Sequence, residues 1–450
     1  MTVRMDVGAV IENQSKNLFQ VFLTILIAVT AFVEGFDAQI QGYTAPTLTR
    51  LWHVSKGEFS PVFVWFQIGV LVGAIGLGNL GDILGRRRMI VTGVLVFGLF
   101  TVAGAYAGNV TELAATRFLS AIFLGGAMPN AIALIIDYSP HRRRTFRVGI
   151  MYTIYTGGGA AGGLLAAWLV PHFGWQSIYY LCGGLAVLLS GVLFLFLPES
   201  LRFMVLRRRR PDVVAATLRK LAPAMEVPPD AEFFVRNDVE QKAAVVELFR
   251  ENRAGMTLAL WCAYGVNLIA LIFVTSWMPA IFADNGISYS VSVIATSLFQ
   301  AGGAVGSLVG GWMLDRPKGI LRLCALCLTA VPIIICIGHA AEIQPLLLAL
   351  ACAAGICIVG TQTGCNALSG ALYPTTLRST GAGWANGIGR FGAITGPWLG
   401  ALLLGMHLSL PIIFLLVAIP SFCVSILLLI LNFSQPRDAR PVGIPVPDSL

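Results

Sequence analysis

The chain has 450 residues, 56% of them hydrophobic and only 12% charged, with a net charge of +8. A mean hydropathy of +0.79 and a charged fraction well below the roughly 25% of soluble domains exclude a soluble globular protein. The basic excess does not indicate nucleic-acid binding, because its placement follows the ends of apolar runs, which is a topology signal.

Twelve apolar spans of about 20 residues each are expected. They lie at 17–44, 59–80, 88–107, 112–138, 148–170, 177–197, 255–283, 291–314, 319–338, 345–370, 380–404 and 410–432. The first run has no small-residue cleavage site after it and is expected to remain as a span. With both termini in the cytoplasm, only Arg50, Lys56, Arg117 and Arg390 of the 30 Lys and Arg fall outside cytoplasmic segments. That bias sets the orientation in a cell (inner) membrane. The polar stretch 198–254 separates a six-span half, 1–197, from a second, 255–450. Within it, 211–221 and 238–249 have helical periodicity and read as surface helices. The arginine run 207–210 reads as an anchor to anionic lipid. The fold class is therefore all-α and membrane-spanning, with twelve transmembrane helices in two six-helix pseudo-repeats.

The halves carry matching motifs. Gly78-x-x-x-Asp82 recurs as Gly311-x-x-x-Asp315. Tyr138, Arg143, Thr145 and Gly157 recur as Tyr373, Arg378, Thr380 and Gly392. Parallel repeats with a site between them are a transporter architecture.

The charges inside spans are few. Glu34 and Asp37 lie three residues apart in span 1 and share a helix face. A charge in hydrocarbon costs at least about 2.5–3.5 kcal/mol, so such groups face an interior or an ion pathway. In span 4, Arg117 and Asp137 are 20 residues apart, about 30 Å of helix, and cannot pair. Asp137, at the inner end, suits either proton transfer or an ion pair closing that end. Arg390 lies near mid-membrane in span 11, flanked by Gly387, Gly389 and Gly392. Gln362 and Asn366, four apart in span 10, share a face and suit either a ring hydroxyl or packing.

Other chemistry is not expected. All nine cysteines lie in apolar stretches, and Cys324-x-x-Cys327 has no His or second Cys pair beside it, so no metal is expected. His53, His141, His172, His339 and His407 fall in loops or at span ends, which leaves the carboxylates to carry a proton. The glycine run at 157–163 lacks the Lys-Ser of a phosphate loop and reads as close helix packing. No cofactor is expected beyond a proton gradient, and the chain does not read as an enzyme.

The inner loop Gly78-Asn-Leu-Gly-Asp82-Ile-Leu-Gly-Arg86-Arg87-Arg88 resembles the signature loop of the major facilitator superfamily. Three further stretches narrow the likeness. They are Glu34-Gly-Phe-Asp37, then Arg117 with Gly125-Gly-Ala-Met-Pro129-Asn130 and Asp137-Tyr-Ser-Pro140, and the run 373–397 from Tyr373-Pro to Gly396-Pro397. Together they resemble the aromatic acid:proton symporter family. Glu34 stands where that family usually has Asp, Asp137 where it has Glu, and Ala121 and Phe123 where it has Gly.

The resemblance implies a major facilitator fold and proton-coupled uptake of small aromatic carboxylates, hydroxybenzoate-like, by alternating access of the two halves. It implies a conformational, gating role for Asp82 and Arg86, shared through the repeat by Asp315. In the superfamily helices 1 and 4 face one cavity, so Asp37 is the expected proton carrier, with Arg117 its partner and Glu34 and Asp137 assisting. Arg390 offers the planar, two-donor cation that a carboxylate needs, or else neutralises a neighbouring carboxylate. Gln362 and Asn366 join it as substrate contacts, with Phe36, Tyr155 and Trp384 as candidate aromatic walls. The expected partners are the aromatic acid, protons and membrane lipid, with no nucleic acid, and the protein is expected to act as a monomer. Span 7 lacks the paired glutamines of a sugar porter, and span 5 lacks the late Gly-Pro of a multidrug exporter. A transporter-like membrane sensor of organic acids and an importer of another small organic anion remain as alternatives.

Overall fold

The computed structural model describes residues 4–12, 17–207, 211–222, 228, 231–235, 244–251, 253–374, 376–406 and 408–434, with backbone only at 141–143, 145 and 379. It divides into two compact units, Met1–Val239 and Glu240–Leu450.

In the first unit a short strand β1 (Arg4–Asp6) and helix α1 (Val7–Glu12) precede the long helices α2 (Leu18–Leu51), α3 (Lys56–Leu84), α4 (Arg86–Gly104), α5 (Val110–Asp137), α6 (His141–Phe173) and α7 (Gln176–Phe196). Two short helices, α8 (Leu201–Leu206) and α9 (Pro211–Leu221), and strand β2 (Glu232–Phe234) complete it. In the second unit a 3-10 turn (Val245–Phe249) leads into α10 (Ala254–Asp284), α11 (Tyr289–Leu314), α12 (Gly319–His339), α13 (Gln344–Ala371), α14 (Arg378–Gly405) and α15 (Leu410–Phe433).

Among the described residues, eleven helices are long and apolar enough to cross a membrane, so this is a multi-pass membrane protein. The remaining expected span is α14, 28 residues long. Arg390 and a high glycine content dilute its hydropathy. Polar side chains set several helix starts. Asn17 and Asn109 accept from the amides of Phe19 and Glu112, and Ser55 with Glu58 forms a capping box at α3. Gly85, at φ +105°, is both the end of α3 and the N-cap of α4. That left-handed turn suits glycine.

Glycines set the helix crossings. A Cβ on Gly73 would lie 1.9 Å from the Ile122 carbonyl oxygen, so α3 and α5 touch backbone to backbone. Gly69 meets Phe118 and Gly73 meets Ile122; in the second unit Gly302 meets Cys352 and Gly306 meets Ile356. Likewise Gly158 meets Phe32, and Gly392 meets Gly265. The two units therefore repeat the same crossings. The partner of Gly392 in this register is Gly158, one residue from the Gly157 that the motif match suggested.

The segment expected to be a separate linker is shared between the units. Helix α9 matches its expected span. β1 pairs in parallel with β2, Arg4 opposite Glu232, and Asn17 donates to the Lys220 carbonyl at 2.9 Å. These contacts tie the linker's first part to the first unit. Of the second expected linker helix, 238–243 lie outside the described residues; the described end is the 3-10 turn, held to α10 by Thr257 donating to the Leu248 carbonyl. Of the arginine run, only Arg207 is described.

Candidate functional site

Among the described residues, the first unit buries one fully enclosed ion pair. Asp37 on α2 and Arg117 on α5 are both fully buried. Arg117 Nη2 donates to Asp37 Oδ2 at 2.8 Å and to the Asp37 carbonyl at 2.8 Å. Its Nη1 donates to Asp37 Oδ1 at 3.0 Å and Thr101 Oγ1 at 3.2 Å, and its Nε to Gln41 Oε1 at 2.8 Å. A guanidinium has five N–H donors, and all five are engaged. Thr101 Oγ1 also donates to Asp37 Oδ1 at 2.5 Å, and Ser120 Oγ stands 3.2 Å from Thr101. The Phe66 ring covers the guanidinium at 4.8 Å. A buried pair holds only when its remaining donors and acceptors are satisfied, and Gln41 and Thr101 satisfy these. Neither was anticipated from sequence. Gln41 was findable, being four residues from Asp37 on one face.

Glu34, one turn nearer the N-terminus of α2, is treated differently. It is fully buried, and neither carboxylate oxygen has a hydrogen-bond partner among the described residues. It flanks the α2–α6 crossing, where a Cβ on Gly35 would lie 1.8 Å from the Tyr155 carbonyl. Phe36 is buried at the same crossing with its ring against Gly162, and Tyr155 is half-buried there.

Where α3 gives way to α4 and α5 ends, Arg86 bridges Asp137 and Asp82, the latter at 3.3 Å, and donates to the Ala133 carbonyl at 2.8 Å. Ser200 Oγ also donates to Asp137. Glu199 Oε1 accepts from the amides of Arg87 at 3.1 Å and Ser200 at 3.0 Å. Asp137 thus belongs to one cluster with the expected gating residues Asp82 and Arg86, not with Asp37 and Arg117. Asp315 is exposed and makes no ion pair among the described residues. The physical reason is plain: in the motif match Leu372 stands where Asp137 does, so among the described residues the second unit offers no buried carboxylate for a bridging arginine.

In the second unit Arg390 is half-buried on α14 and has no hydrogen bond or ion pair among the described residues. It stands where α14 crosses α10. A Cβ on Gly389 would meet the Tyr264 ring, and one on Gly392 the Gly265 carbonyl. One turn back, Asn386 accepts from Tyr264 Oη at 2.6 Å. Trp384 is 46% exposed and stacks on Trp261, centroids 6.0 Å apart. Six residues separate Trp384 from Arg390, so the two do not share a helix face. Gln362 is buried and accepts from Asn267 Nδ2 at 2.9 Å; Asn366 is half-buried with its Oδ1 unpartnered. Asn267, on α10, was not singled out from sequence; a lone Asn in an apolar run was the available signal.

The chain matches the family described as Major Facilitator Superfamily over residues 27–265 and 260–448. It is 36% identical to the gallate transporter of Pseudomonas putida over 448 residues, 98% of each chain. It is 38% identical to the 4-hydroxybenzoate transporter PcaK of Pseudomonas aeruginosa over 407 residues, 90% of each. The benzoate transport protein of Acinetobacter baylyi is 30% identical, with 98% of this chain and 97% of that protein covered. Among solved structures, a D-xylose-proton symporter superposes with a TM-score of 0.70 at 13% identity, covering 92% of this chain and 97% of that one.

Proposed function

We propose that this chain, which belongs to the Major Facilitator Superfamily, carries small aromatic carboxylates into the cell together with protons, and is a transporter rather than an enzyme. The observation that carries this reading is its likeness, over nearly its whole length, to proteins named for gallate, 4-hydroxybenzoate and benzoate. Those three compounds share a carboxylate on an aromatic ring. The protein works as a monomer in the inner membrane, with both termini cytoplasmic, by alternating access.

Arg390 is the proposed anchor for the carboxylate, since it is a half-buried guanidinium with no protein partner among the described residues. A planar fork can give the ligand two parallel charge-assisted bonds. Asp37 is the proposed proton carrier. A proton arriving on it removes the negative charge that Arg117 faces and weakens the clamp between α2 and α5. Loss of that proton restores the pair. Glu34 is the proposed assistant, because its unpartnered oxygens can take a proton in passing. Asp82, Arg86 and Asp137 act as an inner latch.

The test is uptake of labelled 4-hydroxybenzoate into proteoliposomes under an imposed inward proton gradient. The wild-type protein is expected to accumulate it. Asp37→Asn, fixed in a neutral form, is expected to lose accumulation while still exchanging substrate by counterflow. Accumulation by Asp37→Asn would move the coupling site elsewhere. Binding without gradient-driven uptake in the wild type would leave a sensor.

A further inference from the structure

We propose that the Asn267–Gln362 amide pair is a subsite that reads a hydroxyl group on the substrate ring, a deepening that rests on the aromatic-acid reading above. The pair is held in one orientation by the backbone. Asn267 Nδ2 donates to the Ile358 carbonyl at 3.1 Å and to Gln362 Oε1 at 2.9 Å. A carbonyl only accepts, so it fixes which way the Asn267 amide faces. Asn267 in turn fixes Gln362, whose oxygen must face it.

The chain of bonds leaves a definite remainder. Gln362 Nε2, a donor, and Asn267 Oδ1, an acceptor, are buried with no partner among the described residues. Asn267 is fully buried and Gln362 is 7% exposed. Asn366 Oδ1, a second unpartnered acceptor, lies one turn along α13 on the face of Gln362. Buried polar groups left unpaired are costly and rare, and each calls for an explanation.

The remainder has the chemistry of a hydroxyl. A carboxylate only accepts, so it matches the donor and repels both acceptors. A methyl or hydrogen matches neither. A phenolic hydroxyl accepts from Gln362 Nε2 and donates to an amide oxygen. The pair also lies at the level of the proposed carboxylate anchor. Gly392 packs on Gly265 and Gly389 on Leu268, so the α14 turn carrying Arg390 meets the α10 turn carrying Asn267.

The test is equilibrium binding by calorimetry to the purified full-length protein. The probes are 4-hydroxybenzoate and 4-methylbenzoate, which match in size at the ring position. The wild type is expected to prefer the hydroxyl by about ten- to a hundred-fold. Gln362→Met, similar in shape but without the donor, is expected to weaken 4-hydroxybenzoate and leave 4-methylbenzoate unchanged, bringing the two within a few-fold. Asn366→Leu is expected to narrow the ratio less. Equal loss of both probes, or an undiminished ratio in Gln362→Met, would overturn the subsite while sparing the aromatic-acid reading. Wild-type protein that binds both acids equally well would overturn it without any variant. Wild-type protein that binds neither would overturn the aromatic-acid reading and the subsite with it.

Discussion

Arg117 and Arg390 are both arginines within membrane-spanning helices, one in each unit, and they live in opposite circumstances. Arg117 is fully buried and engages all five donors with Asp37, Gln41 and Thr101. Arg390 is half-buried and engages none among the described residues. The scaffolds around them repeat, crossing for crossing: Gly73 on Ile122 in one unit, Gly306 on Ile356 in the other. A shared scaffold therefore carries two distributions of polarity. The first unit closes the Asp37–Arg117 pair on itself and leaves only the Glu34 carboxyl beside it unpartnered, whereas the second leaves a cation and three amides with unused capacity among the described residues. The first arrangement suits a proton that comes and goes, the second a ligand that arrives with its own charge and hydrogen bonds.

The largest test of that contrast is removal of each arginine. Arg117→Ala leaves Asp37 buried and unpaired, which should cost roughly 3–5 kcal/mol of stability. Arg390→Ala strands no partner and should shift stability by less than about 1 kcal/mol. Thermal unfolding of the two variants side by side checks this. Equal destabilisation would mean that Arg390 has a structural partner after all.

Next comes affinity. Arg390→Ala should weaken 4-hydroxybenzoate by one to two decades, the equivalent of roughly 1.5–3 kcal/mol for a charge-assisted contact. Arg390→Lys should not restore it, because an ammonium lacks the two-donor fork. Wild-type affinity in the Lys variant would reduce Arg390 to a charge balance.

Parts of this contrast were legible in the sequence, for physical reasons. A charge inside an apolar run needs a partner, and depth along the helices left Arg117 within reach of Asp37 and Asp137 out of it. Arg390 stood out on the same logic. Thr101 and Ser120 did not, because small hydroxyls are common in spans and bond their own backbone as readily, as Thr44 does with Ile40. Asn267 is a single neutral amide without a charged neighbour in sequence, so nothing marked it until Gln362 was seen against it. The short β1–β2 pairing joins three-residue strands, too short for alternation to register. The repeat was legible to within one residue. Identity at Gly157 and Gly392 drew the alignment, whereas backbone contact selects Gly158.

That one-residue difference supplies the third test. A Cβ on Gly158 would lie 1.9 Å from the Phe32 carbonyl oxygen, and one on Gly157 would meet nothing within 4 Å. Gly158→Ala should cost roughly 1–3 kcal/mol by overpacking the α2–α6 crossing. Gly157→Ala should be neutral or slightly stabilising, since Ala is the better helix former. In the second unit Gly392→Ala should behave as Gly158→Ala does. Unfolding midpoints that ranked Gly157→Ala with Gly392→Ala instead would restore the motif-based register.

The smallest expected effect on stability concerns Asp82 and its repeat position, Asp315. Asp82 is 73% exposed at its side chain and meets Arg86 at 3.3 Å across the Gly85 break between α3 and α4. An ion pair with a solvent-exposed carboxylate contributes roughly 0.2–1 kcal/mol, so Asp82→Asn should move the unfolding midpoint only slightly. Its consequence lies in Arg86. The guanidinium is shared between Asp82 and the nearly buried Asp137, which also takes the Ser200 hydroxyl. Loss of Asp82 lets Arg86 settle on Asp137 alone, changing the balance of a latch rather than the integrity of the fold. Uptake should slow while equilibrium affinity for 4-hydroxybenzoate stays within a few-fold. Asp315, the repeat position in the second unit, has no bridging arginine among the described residues, so Asp315→Asn should slow uptake less. Affinity that fell with Asp82→Asn as steeply as with Arg390→Ala would place Asp82 in the binding path. Equal slowing by the two Asn variants would instead mean that both repeat positions latch, and the contrast between the units would then be confined to the membrane interior.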